Sequence, residues 1–140
     1  MTHSRAVKAM DLLAVAHEVR QGTVVLRAEG DVDSSTVEQF VVHLAAAMQL
    51  AATHPARLVV IDLRPVTFFG SAGLNAVLEC HEQGKAAGTS VRLVADHGQV
   101  LAPIQVTELD RIFEIYPTLA GALRPGKPGE QDPEDVERPR

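Results

Sequence analysis

The sequence predicts a single α/β domain. Short apolar runs with strand character alternate with stripes of helical period, and no internal repeat interrupts that order. The 140 residues match the size of one ordinary domain. Apolar residues make up 46% of the chain and charged residues 22%, a globular balance. Aromatics are only 4% and tryptophan is absent, so the core must be built from Val, Leu, Ile and Ala.

The first strand is expected from about Leu12 to Arg20, where Leu13, Val15, His17 and Val19 alternate loosely. Gln21-Gly22 is a turn signal, and Thr23 to Ala28 forms the second arm of a hairpin ending at Glu29-Gly30. Asp31-Val32-Asp33-Ser34-Ser35 then reads as a helix-start cluster, with Ser35 and Glu38 at capping-box spacing. The helix after it places Val37, Phe40, Val41, Leu44, Met48 and Ala51 on one stripe and closes at His54-Pro55. Leu58-Val59-Val60-Ile61 is a continuous apolar run, as expected of a central strand covered on both faces.

Arg64 to Gly70 reads as a connection into a second helix that begins near Ser71 and turns Leu74, Val77 and Leu78 inward. Gly84 and Gly88 bracket its end. Val91 to Ala95 is another short strand, Gly98 to Val106 a helix containing Pro103, Ile112 to Tyr116 an edge strand, and Pro117 to Leu123 the start of a last helix. The domain is thus expected over residues 11–123. Residues 1–10 read as a flexible leader, since Asp11 and a short apolar stretch argue against a signal peptide. Residues 124–140 hold four of the eight prolines with Gly, Glu and Asp, and read as a disordered tail.

Charge and motifs narrow the function. The formal net charge of −5 repels phosphate backbones and anionic lipid, so neither nucleic acid nor a membrane is an expected partner. No segment has the apolar length to span a bilayer, and the single cysteine, Cys80, excludes an internal disulfide; a cytoplasmic location is expected. His3, His17, His43, His54, His81 and His97 show no zinc spacing, so no metal and no cofactor is expected. Cys80 reads as a small buried filler or a partly exposed thiol.

Gly70-Ser71-Ala72-Gly73 lacks the lysine and the longer glycine spacing of a phosphate-cradling loop. The strand–turn–helix context suits a hydrolase nucleophile elbow, but Phe69 stands where that pattern needs glycine, and no histidine–acid pair is identifiable. Ser71 reads more simply as a helix cap. A helix start also tolerates a phosphate, whose charge of about −1.5 to −2 would disrupt a partner docked on the same surface.

These residues carry a resemblance. Gly30-Asp31-Val32-Asp33, the run from Val60 to Leu74, Gly88 to Val94, and Val100 to Phe113 with Leu109-Asp110-Arg111-Ile112-Phe113 resemble, in order, the STAS-domain anti-sigma factor antagonists of bacteria. The match continues through Ile115-Tyr116-Pro117 and Ala120 to Leu123, and so covers roughly residues 12–123. The resemblance implies a mixed sheet of about five strands packed against about four helices, and a non-catalytic module. The implied partner is an anti-sigma factor of the GHKL-type serine kinase class, which the antagonist binds so that the sigma factor is freed. The docking face it implies comprises Asp31, Asp33, Ser34, Ser35, Gly70, Ser71, Ala72, Gly73, Asn75 and Glu79, on a monomer or weak homodimer.

One departure stands out. The family's usual pattern is Asp-Ser-Ser/Thr-Gly, with the phosphoacceptor just before glycine; here those positions are Gly70, Ser71, Ala72 and Gly73. Ala72 has no hydroxyl. Either Ser71 accepts phosphate one position early, or the usual switch is lost. The second reading is favoured, because one residue rotates a helical side chain by about 100°. Two other readings compete: a STAS subunit of a lipid-transport ABC system or stress-sensing assembly, which would co-purify with its ATPase, and a small serine hydrolase, whose turnover Ser71→Ala would abolish.

Overall fold

The computed structural model describes residues 12–125. The expected leader and the tail beyond residue 125 lie outside the described residues. Strand β1 (Leu13–Arg20) pairs antiparallel with β2 (Thr23–Val32). Their two-residue link has positive φ at both positions, 54° at Gln21 and 80° at Gly22, the backbone that matches the twist of a tight hairpin. Next come α1 (Val37–Ala51), β3 (Leu58–Asp62), β4 (Val66–Phe69), α2 (Ser71–Ala87), β5 (Ser90–Val94), α3 (Gly98–Val106), a single 3₁₀ turn (Leu109–Arg111), β6 (Glu114–Tyr116) and α4 (Leu119–Leu123).

The sheet runs β1-β2-β3-β5-β6, and β4 pairs with the far end of β2. All pairings except β1–β2 are parallel, so the sheet is mixed. The expected α/β class holds, with six strands rather than about five, and four helices. The additional strand is β4, which the sequence reading treated as connection. It exists because β2 does not stop at Gly30 but continues to Val32, offering an edge past the end of β3. A register shift at Gly30 and Asp31, with φ of +112° at Gly30, makes this overrun fit. A side chain at position 30 would run into the Leu12 carbonyl oxygen, so only glycine serves there.

Two cores flank the sheet. The larger joins Val24, Leu26, Val59, Ile61 and Leu93 to Phe40 and Leu44 of α1, Leu74 and Val77 of α2, and Val100 and Ile104 of α3. The smaller, on the opposite face, joins Val25, Leu58, Val60, Val94 and Tyr116 to Ala122 of α4. Every residue of β3 is buried, as its unbroken apolar run demands. The α1 stripe is narrower than expected: Phe40, Leu44, Ala47 and Ala51 are buried, while Val41 is 42% exposed, one residue and about 100° off the line.

Arg92 lies in the smaller core, 5% exposed. It donates to Glu114 Oε1 at 3.2 Å and to the carbonyls of Ala122 at 2.8 Å and Arg124 at 2.6 Å, which ties α4 and the chain after it to β5. Arg124, placed with the tail in the sequence reading, is thus held to the domain. α2 ends at Gly88, whose φ of 79° turns the chain, and Thr89 N–H donates to the Gly84 carbonyl at 2.8 Å. Pro103 sits within α3 without ending it. Among the described residues, no helix is long and apolar enough to cross a membrane.

Candidate docking surface

The β2–α1 turn and the start of α2 meet through β4. Asp31 and Val32 stand in register with Phe68 and Phe69, and Gly70 N–H donates to the Val32 carbonyl at 3.0 Å. Thr67 Oγ1 donates to Asp31 Oδ1 at 2.7 Å, fastening the two segments side chain to side chain.

The turn is built differently from its expected capping box. Thr36, not Ser35, precedes α1, and its hydroxyl donates to the Asp31 carbonyl at 2.8 Å while accepting from Asp33 N–H at 3.0 Å. Ser35 N–H and hydroxyl both donate to Asp33 Oδ1, at 2.9 and 2.7 Å, and Thr36 N–H does so at 3.2 Å. These donors, the Ser35 hydroxyl foremost, hold the Asp33 carboxyl below its ordinary pKa. The Ser35–Glu38 exchange fails because Thr36 holds the cap position, which puts that pair one residue out of register, and because the Ser35 N–H is already bound by Asp33 Oδ1.

Ser71 is not a cap either. Gly70 holds the cap position with extended backbone, Ser71 is the first helical residue, and no side chain caps this end. Ser71 is exposed and Ala72 partly so; Asn75 and Glu79 follow at one-turn steps and are exposed. Asp31, Asp33 and Gly70 are partly exposed, and Ser34 and Ser35 exposed. Gly73 departs from the expected set. It is buried, and a Cβ there would lie 2.6 Å from Val32 Cγ1 and 3.0 Å from Phe69 Cε1. It lets α2 approach β2 and contributes no docking surface of its own.

Sequence reasoning passed over Phe68, which is 48% exposed beside Gly70. A signal was present. Neighbouring residues of a strand point to opposite faces, so the two rings of a Phe-Phe pair cannot both pack on one side of the sheet.

Among the described residues, no histidine is hydrogen-bonded to the Ser71 hydroxyl. His97 Nε2 lies 2.9 Å from the Arg64 carbonyl, and His81 meets Phe113 edge-on, so neither engages the Ser71 hydroxyl. Cys80 is 3% exposed, and burial pushes its thiol up to about 11; of the two readings for this residue, the buried filler is the one found. Among the described residues, no group of three or more His, Cys, Asp or Glu side chains is arranged to hold a metal ion.

Comparison with known proteins bears on this surface. The sequence pattern of the STAS domain matches residues 14–122. An anti-sigma factor antagonist from Mycobacterium paratuberculosis is 32% identical, with a TM-score of 0.71 over 79% of this chain and 91% of its own. An anti-sigma-factor antagonist (STAS) domain protein from Planctomyces limnophilus is 25% identical, with a TM-score of 0.65 over 78% and 93% of the two chains. The phosphorylated form of the Bacillus cell-fate determinant SpoIIAA shares the fold at 20% identity, with a TM-score of 0.57 over 91% and 100%. No curated protein matches the sequence.

Proposed function

This chain belongs to the STAS-domain family, and from that premise we propose that it is a non-catalytic anti-sigma factor antagonist whose docking face is not switched by phosphate at the family's usual position. The face comprises Asp31, Asp33, Ser34 and Ser35 of the β2–α1 turn, Gly70, Ser71 and Ala72 at the start of α2, and Asn75 and Glu79 further along it. The partner is an anti-sigma factor of the serine kinase type, and its capture frees a sigma factor.

The observation that carries this reading is the uncharged first turn of α2, where Ser71 is exposed and Ala72 partly so, joined through β4 to the β2–α1 turn. Two neighbours at 25% identity or more are described as anti-sigma factor antagonists, which supports the class of partner. The loss of phosphate control rests on Ala72, which offers no hydroxyl to a kinase. Ser71 is exposed, but its hydroxyl sits about 100° further round the helix.

The test is titration of the full chain with the serine-kinase anti-sigma factors encoded in the same genome, with and without ATP, followed by intact-mass measurement. One of them is expected to form a complex that ATP leaves intact, with no mass gain. Failure of all of them to bind would overturn the antagonist role. A phosphoryl group on Ser71 that dissolves the complex would overturn the unswitched face alone.

A further inference from the structure

Phe68 is a large apolar side chain left 48% exposed in a strand whose other phenylalanine, Phe69, is 3% exposed. Its ring has a defined seat. A Cβ on Gly70 would lie 2.9 Å from Phe68 Cε2 and 3.2 Å from Cζ, so the ring fills the space a side chain at position 70 would take. The Gly70 backbone, with φ of −92°, is one that any residue adopts. A side chain at position 70 would thus move the Phe68 ring from this seat rather than strain the chain path. The outcome is an aromatic surface lying against the start of α2, in register with Asp31 on β2.

Among the described residues, the elements that form this face carry formal charges of one sign. Residues 30–56 and 65–84 form the turn, α1, β4 and most of α2; they contain no lysine or arginine but hold Asp31, Asp33, Glu38, Glu79 and Glu82. All five side chains are at least partly exposed. A second copy of this chain seated face to face would set like charges against each other. A partner of opposite sign is favoured, and steered toward the site.

We infer that Phe68 anchors the docking face, and that the anti-sigma factor receives its ring in an apolar pocket rimmed by lysine and arginine. The inference rests on the antagonist role proposed above. Aromatic side chains at the centre of an interface carry a disproportionate share of binding, and a ring already seated against Gly70 loses little freedom on docking.

The experiment measures affinity of the full chain for the anti-sigma factor that the preceding titration identifies, with melting curves for each variant. Phe68→Ala is expected to weaken binding about 30-fold or more, the range of interface hot spots, and Phe68→Leu by less. Gly70→Asp is expected to weaken it as well, although the added charge alone would attract a basic rim, because the new side chain displaces the ring. Affinity of the parent should fall as salt rises. Should Phe68→Ala prove unfolded, Phe68→Leu and Gly70→Asp decide the matter.

Binding by folded Phe68→Ala within about 3-fold of the parent would overturn the anchor, as would tighter binding by Gly70→Asp. Ala72→Asp separates the two claims. If it abolishes binding while Phe68→Ala does not, the antagonist role stands and the anchor falls. If the parent binds none of the anti-sigma factors, both fall.

Discussion

Arg64 folds back onto Asp62, two residues before it, and its Nε and Nη2 donate to the two carboxylate oxygens at 2.9 and 2.8 Å. Arg64 N–H adds a third bond to Asp62 Oδ1 at 3.1 Å. Asp62 closes β3 and is 1% exposed. Burial pushes its pKa up, but the hydrogen bonds and charge of Arg64, with the more distant charge of Arg27, outweigh that and hold it below the ordinary 3.8. A carboxyl depressed in the folded state contributes stability above its unfolded pKa, and that contribution is lost as pH falls through the folded value. The parent should therefore keep this contribution down to the ordinary carboxylate range. In Arg64→Ala burial acts with far less opposition and pushes the carboxyl up, so lowering the pH toward the carboxylate range should relieve the variant's deficit rather than add to it. At pH 7 the variant should lose about 1–3 kcal/mol, the cost of under-satisfying a buried polar group. Melting temperature against pH checks both statements.

Thr36→Val tests the turn beside the docking face. Thr36 is 8% exposed, and its hydroxyl serves the Asp31 carbonyl and Asp33 N–H together. Removing the hydroxyl while keeping the shape should cost about 1–2 kcal/mol in urea unfolding. A change below about 0.5 kcal/mol would mean that solvent replaces these bonds freely.

Gly73→Ala adds a methyl where Val32 and Phe69 already touch the α2 backbone. Overpacking of this kind costs about 1–3 kcal/mol. The variant should melt lower than the parent, whereas Ala72→Ser, one residue away and partly exposed, should melt within about 0.5 kcal/mol of it.

Ala72→Ser should also gain what the parent lacks. With a hydroxyl at the family's usual acceptor position, the partner kinase is expected to add one phosphoryl group and then release the variant. Intact mass and analytical gel filtration, with ATP present and absent, report the two events. An unmodified variant that stays bound would show that the acceptor position needs more than its hydroxyl.

Arg92→Met removes a buried cation from Glu114, from the Ala122 carbonyl within α4 and from the Arg124 carbonyl just after it. Glu114 is partly exposed, so water takes up part of the loss, and the cost should be about 1–3 kcal/mol. Amide exchange should quicken first in α4, since Arg92 ties that helix to β5 beside the packing of Ala122.

Elements with strong local signals were legible in the sequence. The Gln21-Gly22 hairpin, the unbroken apolar run of β3 and the Gly88 stop each follow from nearest-neighbour chemistry. β4 was hidden because its four residues pair only where β2 overruns β3, a long-range event. The caps were misplaced by one residue for a related reason. Ser35 and Ser71 have cap chemistry, but the backbone puts Thr36 and Gly70 at the junctions. Of the candidate docking face, the two segments were legible as motifs. Their union through Thr67 and Asp31, and the outward ring of Phe68, depended on strand register.

The deep placement of Cys80 has a practical side. With its thiol pushed up to about 11, only about one molecule in ten thousand carries a thiolate at neutral pH, and thiolate is the form that alkylating dyes attack. Burial and the raised pKa together slow the reaction of this thiol with maleimides. One cysteine introduced at the exposed Asn75 would take a fluorophore far faster than the native sulfur, giving an optical reporter on the proposed contact face.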